Sequence, residues 1–219
     1  MKLYMHPVSM TCRPIRLFIA EHGVPVEEEL VDLMTGAHLQ EPFASINPNR
    51  LVPMLVVGDL KLTQSSPILK YLADKVGSPT YPKDLKQRAK VNEIMDWFNT
   101  NFYRDFAYNM AYPQIFPHHK RPSDDVQTAT IEWGRDRSKN WLTLLDAHWL
   151  GPSKQYLCGD QITIADYFGV CLLTLGEVVR CDFAKYPNIQ RWVSNMKKLK
   201  SWDKVKEALY GLAGALTGM

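Results

Sequence analysis

The pattern of apolar and polar positions changes near residue 80 of the 219-residue chain. Before that point, short apolar or β-branched runs alternate with stretches of helical spacing, which is typical of mixed α and β structure. The pattern predicts strands at 1–5, 24–31, 51–57 and 60–62, a helix that ends at His22-Gly23, an irregular or short helical segment at 34–44, and a helix at 67–76. A strand–helix–strand unit implies a parallel pair with a right-handed crossover, and Gly58-Asp59 is a hairpin turn. The first part is therefore expected to form a four-stranded mixed sheet with helices on its faces.

After residue 83 only helical spacing remains. The predicted helices cover 84–112, 123–150, 163–179, 187–199 and 201–216, and the third is the most apolar. The segment between the two patterns is rich in glycine, proline and serine, which is typical of a linker. The change predicts two domains: an α/β domain over 1–77 and an all-α domain over 84–219, joined by a linker over 78–83.

The predicted hairpin contains a proline inside a strand, and serines follow it at a predicted helix start. Pro53 cannot donate to a sheet ladder, so it indicates an edge, a bulge or a cis bond. At such a point Val52 keeps a free N–H and C=O, with which an extended peptide can pair as an added strand. Ser65 and Ser66 are candidate helix caps, and Gln64 and Ser65 lie at a helix N-terminus, which favours an anion. The plain alternative is an edge hairpin followed by an ordinary capped helix.

The loop before the first helix carries two candidate reactive side chains, Ser9 and Cys12. Three interpretations are open: Ser9 caps the helix, Ser9 donates a hydrogen bond to a bound anion, or Cys12 is a reactive thiol, since helix N-termini lower cysteine pKa values. Ser9 has no histidine and acid in a known nucleophile pattern, so it is a poor candidate for a nucleophile. A hydroxyl that binds a ligand thiolate needs no such partners. Together with a helix dipole, it could lower a thiol pKa of about 8.5 by roughly one to two units, on the order of 1.4 to 3 kcal/mol.

Composition and charge argue against several classes of protein. A net charge of +3 and an apolar content of 46% fit a globular protein with a core and do not suggest a nucleic-acid partner. The four cysteines form no C-x-x-C pair and the six histidines show no metal-ligand spacing, so neither a metal site nor a disulfide framework is expected. The chain starts without the charged and apolar regions of a signal peptide, and no apolar run approaches about 20 residues, so we expect a cytoplasmic protein with no membrane span.

Five short motifs occur in order along the chain. They are Ser9-x-x-Cys12-Arg13, Ile46-Asn47-Pro48, Val52-Pro53, Gln64-Ser65 with Ile68, and Thr163-Ile164-Ala165-Asp166. With the β-α-β and β-β-α order and the helical second half, they resemble the cytosolic glutathione transferases over essentially the full chain. The Ser-x-x-Cys-Arg loop is most similar to the serine-type classes, theta and delta, and their bacterial relatives. The resemblance implies that the α/β N-terminal domain is thioredoxin-like and that the C-terminal domain is all-α.

The resemblance also implies roles for the candidate residues around glutathione, the co-substrate, and it implies no metal. Ser9 is expected to stabilise the glutathione thiolate, with Tyr4 of the first strand as the alternative, and Cys12 is expected to be a packing residue. The backbone of Val52 is expected to pair with the cysteinyl part of glutathione, next to a cis Pro53. Gln64 and Ser65 are expected to bind the γ-glutamyl amine and carboxylate. His38 and Arg50 are expected at the glycyl end. Gln64 departs from the glutamate that is frequent in the family, and it lacks the full charge for the ammonium. Asp96 is similar to an acid that some classes send across the dimer interface to the γ-glutamyl amine.

The implied activity is attack of the glutathione thiolate on a small hydrophobic electrophile, with a role in detoxification. The electrophile pocket is expected between the halves, from Val8, Met10, Tyr108, Met110, Tyr112 and Phe116, because methionine and aromatic side chains suit an adaptable apolar pocket. Thr163 and Asp166 are expected to form a capping box with a role in folding. The family forms dimers, so a homodimer is expected. The alternatives on the same fold are a glutathione-dependent dehalogenase, isomerase or disulfide reductase, and a non-enzymatic glutathione-binding protein.

Overall fold

The N-terminal half contains the four-stranded mixed sheet that the sequence predicts. The computed structural model describes residues 1–217 and the side chains of residues 1–215, so the last two positions of the predicted second domain lie outside the described residues. Strands β1 Lys2–Met5, β2 Glu27–Leu30, β3 Met54–Val57 and β4 Leu60–Thr63 lie in the order β2-β1-β3-β4. Leu3 of β1 lies opposite Glu28 of the parallel β2 and opposite Leu55 of the antiparallel β3. The predicted crossover and hairpin are therefore both present.

Short helices and turns complete this half: α1 Arg13–His22, a one-turn 3₁₀ helix Ala37–Leu39, α2 Phe43–Ile46 and α3 Ser65–Lys75. α1 ends at Gly23, whose φ of 61° lies in the left-handed region that glycine adopts without strain. Two strand predictions are too long, because β2 is an exposed edge strand and β3 begins only after Pro53, which has no N–H to donate. The prediction that Ser65 and Ser66 cap α3 is wrong, since the helix begins at Ser65 and Gln64 occupies the cap position.

The C-terminal half is built from helices. α4 Leu85–Trp97 continues through wide, π-type turns at Phe98–Phe102 and Arg104–Ala111 into α5 Tyr112–Ile115. α6 Asp124–Leu144 ends in a further wide turn at Leu145–Leu150. The later helices are α7 Ile164–Leu173, α8 Leu175–Val178, α9 Pro187–Lys197 and α10 Trp202–Thr217. The first of these helical stretches extends past the predicted end at residue 112, because Pro113 lies in the first turn of α5, where a missing N–H is tolerated. The predicted helix 163–179 is two helices that meet at Thr174.

α7 lies at the centre of the molecule and joins the two halves. Every residue of α7 is buried, and the helix packs against α1, α3, α4 and α9. Arg13 of α1, which is itself fully buried, donates through Nη2 to the carbonyl of Cys171 in α7 at 2.8 Å. α7 therefore fixes the position of α1 and of the loop that precedes it.

The capping box at the start of α7 is confirmed. Thr163 donates from its N–H and its hydroxyl to Asp166 Oδ2, at 2.7 and 2.9 Å. The N–H of Leu157 and the indole N–H of Trp192 donate to Asp166 Oδ1, at 2.8 and 2.9 Å. Burial raises the pKa of Asp166 to about 6, and the four hydrogen bonds oppose that rise. The box therefore anchors α7 to the preceding loop and to α9.

The described part of the chain offers neither a membrane span nor a metal cluster. No helix within residues 1–217 combines the length and the apolar character that a membrane crossing requires. Over the same residues, histidine, cysteine and acidic side chains do not gather in groups of three or more that could hold a metal ion.

Candidate active site

A cleft of about 470 Å³ lies between the two halves, where the first loop, the β3 edge, the start of α3 and the α4–α5 segment meet. Twelve of the residues that the sequence singles out line it: Val8, Ser9, Met10, His38, Val52, Pro53, Gln64, Ser65, Asp96, Tyr108, Tyr112 and Phe116. Asp96 thus borders the cleft of its own chain. Residues from distant parts of the sequence therefore meet in one place.

Three candidates lie elsewhere. Arg50 is exposed on the loop before β3 and does not line the cleft. Tyr4 packs its ring against Phe43, at a centroid distance of 5.6 Å, beside a second and smaller pocket near β2. Met110 is buried and is not part of the cleft wall. The alternative that assigns the thiolate contact to Tyr4 has no geometric support.

Ser9 lies at the turn that leads into α1. Its carbonyl accepts the N–H of Arg13 at 3.1 Å and its hydroxyl oxygen accepts the N–H of Cys12 at 3.4 Å, so Ser9 partly caps this turn. Ser9 Oγ also lies 3.0 Å from Thr11 Oγ1, and the Thr11 hydroxyl donates to the carbonyl of Val52 at 3.2 Å. A hydroxyl has one proton. Because the Thr11 proton goes to Val52, Ser9 is the donor in the contact between the two hydroxyls.

The interpretation of Cys12 as a reactive thiol is wrong. The side chain has no exposed surface and belongs to the core. Burial raises the pKa of the Cys12 thiol to about 11, although a hydrogen bond with Ser9 opposes the rise. A reactive cysteine needs access and a lowered pKa, and Cys12 has neither. It is a packing residue, as the resemblance implies.

The Val52–Pro53 peptide bond is cis, as the resemblance implies. The N–H of Val52 donates to no other group among the described residues, which leaves it available to a ligand. The prediction that the Val52 carbonyl is also free is wrong, because it accepts the Thr11 hydroxyl. A carbonyl oxygen has two lone pairs, so it can still accept a second hydrogen bond. The loop before this edge is held by buried Asn47, whose side chain donates to the Leu51 carbonyl at 2.8 Å.

The N-terminus of α3 forms one end of the cleft. Gln64 has φ 71° and ψ 133°, a conformation that L-residues rarely adopt and that costs about 1–3 kcal/mol. Such strain persists where the surrounding structure holds a residue in a functional position. Ser66 also lines the cleft, and its buried hydroxyl has no hydrogen-bond partner among the described residues. A helix N-terminus with an unpaired donor favours an anionic group.

A histidine from the N-terminal half meets two from the C-terminal half at another part of the cleft wall. His38, His118 and His119 all line the cleft. Burial lowers the pKa of His38, and the nearby His118 lowers it further. The Nδ1 atom of His38 is buried and has no partner in the described part of the chain. A neutral imidazole at this point can form one further hydrogen bond with a ligand.

The C-terminal half contributes an aromatic wall, and sequence reasoning missed one of its members, Tyr103. Its hydroxyl oxygen lies 2.6 Å from that of Tyr112. The rings of Tyr103 and Tyr112 each contact Tyr108 edge to face, at centroid distances of 5.2 Å. Tyr103 and Tyr108 are five residues apart, a spacing that points to different faces of an α-helix. The π-type turn between them gives each turn an extra residue, so both side chains face the cleft.

Comparisons with known proteins agree with this geometry. Residues 1–74 match the family model of the glutathione S-transferase N-terminal domain, and residues 131–200 match that of the glutathione S-transferase C-terminal domain. Human glutathione S-transferase theta-1 is 31% identical over 95% of this chain and 87% of its own length. The chain belongs to the glutathione S-transferase family and is theta-like.

Solved structures of the same family share the fold. A delta-class glutathione transferase of Nilaparvata lugens has a TM-score of 0.85 and 30% identity, over 99% of this chain and 98% of that one. Human glutathione transferase theta-2, solved as a complex with glutathione, has a TM-score of 0.85 and 27% identity, over 99% of this chain and 88% of that one. The similarity therefore extends through both halves.

Proposed function

We propose that this chain is a glutathione transferase, in which Ser9 stabilises the thiolate of bound glutathione for attack on a small hydrophobic electrophile. The observation that carries the proposal is the position of the Ser9 hydroxyl. Ser9 precedes α1 and lines the same cleft as Val52, whose N–H is free, and as the N-terminus of α3. The family to which the chain belongs supports the same activity.

Thiol activation follows from the hydrogen bonds of the first loop. Without ligand, the Ser9 proton is directed at Thr11, and the Cys12 N–H donates to the Ser9 oxygen. A thiolate is a stronger acceptor than a neutral hydroxyl, because hydrogen bonds to charged groups are about twice as strong. The Ser9 proton therefore turns from Thr11 to the sulfur when glutathione binds. The donated proton and the dipole of α1 both favour the ionised thiol, and both lower its pKa.

Glutathione is held by the two edges of the cleft in this proposal. The backbone of Val52, beside Pro53, pairs with the cysteinyl part as an added strand. Gln64 and Ser65 bind the γ-glutamyl end, where the dipole of α3 favours the carboxylate. His38 binds near the glycyl end, and exposed Arg50 contributes only long-range charge. Asp96 borders the same cleft, and its carboxylate would attract the γ-glutamyl ammonium of its own chain or, across a dimer interface, that of the partner subunit.

The electrophile binds against the aromatic wall and the first loop. The proposed lining is Val8, Met10, Tyr108, Tyr112 and Phe116. An apolar pocket with few polar groups suits small hydrophobic molecules. Conjugation of such molecules is the chemical basis of the proposed role in detoxification. We propose that the protein acts in the cytoplasm.

The test compares the Ser9→Ala and Ser9→Thr variants over a range of pH. Loss of the Ser9 hydroxyl should raise the pKa of bound glutathione by about one to two units, which lowers kcat/KM at pH 7 by about ten-fold or more. The loss should shrink above pH 9, where the thiol ionises unaided. Ser9→Thr keeps a hydroxyl and should retain most of the activity. Equal activity of Ser9→Ala and the parent protein at pH 7 would refute the role of Ser9.

Retention on immobilised glutathione, followed by a conjugation assay, separates the main proposal from its alternatives. Retention without turnover of any electrophile in a panel of halides, epoxides and disulfides would indicate a binding protein. Turnover confined to halide release, isomerisation or disulfide reduction would indicate the corresponding related enzyme.

We also propose a homodimer and the division into domains 1–77 and 84–219, with a linker over 78–83. Light scattering should give about twice the chain mass of 25.2 kDa, and a value near the mass of one chain would contradict the dimer. Limited proteolysis tests the division, because cleavage is expected to start in the linker.

A further inference from the structure

The outer edge of β2 is unpaired in the part of the chain that the structure describes. β2 pairs with β1 on its inner side, and its four residues are all exposed. The N–H groups of Glu27 and Val31 donate to carbonyls on the β1 side, at 3.0 and 2.9 Å. Because the backbone groups of successive residues point to opposite sides of a strand, the N–H and C=O groups of Glu28 and Leu30 point away from the sheet. Such an unpaired row can accept an added strand.

A pocket of about 180 Å³ opens beside this edge, where the ring of Tyr4 packs against Phe43 of α2. Its lining comes from β1, from the end of β2 and from the segment 37–46, and it includes the apolar side chains of Leu30 and Ile46. None of the residues that line this pocket also lines the cleft. The pocket is therefore a feature separate from the candidate active site.

The charges around the edge and the pocket are mostly negative. Residues 27–29 are three consecutive glutamates. Glu29 and Glu41 line the pocket, whereas no described residue of the lining carries a positive charge. Lys2 lies 3.0 Å from Glu27 and 3.3 Å from Glu29, so one cation is shared by two carboxylates, whose side chains remain 66% and 48% exposed. The surface therefore favours a further cation.

The geometry of an added strand determines which of its side chains meets the pocket. Side chains that lie opposite each other on neighbouring strands share one face of the sheet. Glu29 lies opposite Tyr4 of β1, so a peptide residue opposite Glu29 is on the face where the pocket opens. An apolar stem against the rings and a charged end at the carboxylates of Glu29 and Glu41 fit lysine or arginine. Arginine fits best, because its planar guanidinium binds carboxylates in a bidentate manner.

The same charges disfavour other occupants of the edge. If the β2 edges of two copies paired, their glutamates would be brought together, and like charges on neighbouring strands are destabilising. Charged side chains at a free edge ordinarily hinder strand addition, but negative charges hinder apolar and acidic strands and attract basic ones. On the other face of β2, Arg16 already pairs with Glu28 at 2.9 Å, so the attraction for a further cation is concentrated on the pocket side.

We infer that the β2 edge and its pocket bind an extended, arginine-containing segment of a partner protein by strand addition. Hydrogen bonds to the backbones of Glu28 and Leu30 provide affinity for an extended peptide, and the pocket provides the preference for a cationic side chain. The inference does not depend on the proposed function, because the pocket and the cleft have no lining residue in common.

The test uses two short synthetic peptides that carry fluorescein at the N-terminus. The probe Thr-Val-Arg-Val-Thr presents its arginine on one face and its valines on the other. The matched peptide has citrulline, which has nearly the shape of arginine without its charge. Fluorescence anisotropy with the full chain gives both dissociation constants, and the arginine peptide should bind about 5- to 10-fold more tightly, the effect of partly exposed ion pairs. Amide hydrogen exchange measured by NMR locates the site and should slow at Glu28 and Leu30.

Two sets of variants separate the pocket from the backbone edge. In the double variant Glu29→Gln with Glu41→Gln, the two peptides should bind within about two-fold of each other, whereas the control Glu27→Gln, outside the pocket lining, should keep most of the preference. Leu30→Pro removes an outward N–H without breaking a bond to β1, so it should weaken the binding of both peptides by about 5-fold. Leu30→Thr keeps the N–H and should bind both peptides within about two-fold of the parent protein.

Several results would overturn the inference. These are no measurable binding of the arginine peptide to the parent protein, equal dissociation constants for the two peptides, and slowed exchange only at amides outside β2. An undiminished preference in the double glutamine variant, or equal affinities of Leu30→Pro and Leu30→Thr, would do the same. If circular dichroism shows that Leu30→Pro is unfolded, the double variant decides the question alone, because both of its substitutions are at exposed positions.

Discussion

Lys206, a fully buried lysine of α10, should make the stability of this protein depend on pH in a way that one substitution removes. Its ammonium has no acidic partner in direct contact among the described residues, since Nζ donates to Thr174 Oγ1 at 2.7 Å and lies 4.6 Å from the centre of the Trp202 ring. Burial, and then the nearby charge of Arg13, lower the pKa of Lys206 from 10.5 to about 7, against the opposing effects of Cys171 and Glu177.

The sign of the effect follows from proton binding. Between pH 7 and 10.5 the unfolded chain keeps the Lys206 proton and the native protein does not, so native stability rises with pH by about 1.4 kcal/mol per unit. In Lys206→Met this titration is absent. The variant should therefore be more stable than the parent by about 3 kcal/mol at pH 7, after allowance for the lost hydrogen bond, and the advantage should fall by about 2 kcal/mol between pH 7 and pH 9.

The assay is urea unfolding of both proteins at equal concentration, in buffers from pH 6.5 to about pH 9.5. The slope of the difference against pH tests the ionisation, because a change in packing gives an offset that does not vary with pH. Lys204→Met, at an exposed position of the same helix, is the control and should give a flat difference within about 0.5 kcal/mol. A flat difference for Lys206→Met would refute the assignment of a neutral buried lysine.

Two further predictions concern Gln64 and Asp166. Gln64→Gly and Gln64→Ala should weaken glutathione binding equally, as measured by calorimetry. The free energy of unfolding should be about 1 kcal/mol higher for the glycine variant than for the alanine variant, because only glycine adopts the positive φ without strain. Equal free energies of unfolding would contradict a strained Gln64. Asp166→Asn should lower the free energy of unfolding by about 3 kcal/mol or more, because an amide group would then face the four hydrogen-bond donors. The control Asp160→Asn, at an exposed position, should change the free energy of unfolding by less than about 0.5 kcal/mol. Equal effects of the two substitutions would contradict the role of the capping box.

The sequence predicts a helix or strand well wherever the local spacing of apolar residues determines it. The start of the buried helix α7 could be predicted from its apolar run, and its capping box from the resemblance, which agrees with the three-residue spacing of Thr163 and Asp166. The predicted ends of elements are wrong where contacts outside the local sequence determine them. β2 is shorter than the predicted strand 24–31 because its outer edge is unpaired. α3 begins earlier than its capping serines indicate because Gln64 adopts a positive φ.

The candidate site could be predicted only in part, for two physical reasons. Positions such as Ser9, Val52 and Gln64 are marked by turn and cap chemistry, which a sequence displays. Tyr103 could not be found from a period of 3.6, because a π-type turn shifts the register between it and Tyr108. The contact of Tyr103 with Tyr112 depends on this shift.

Thr11 links the two sides of the candidate site, although the sequence gives no signal for this role. Its hydroxyl donates to the carbonyl of Val52, which lies 41 positions later in the chain, and accepts from Ser9. The proposed thiolate donor and the proposed peptide-binding edge are therefore held by one side chain. Because Thr11 has a single proton, it cannot compete with Ser9 as a donor to the thiolate without releasing Val52. The bond from Thr11 to Val52 therefore leaves Ser9 as the hydroxyl that can donate to the thiolate in the proposed mechanism.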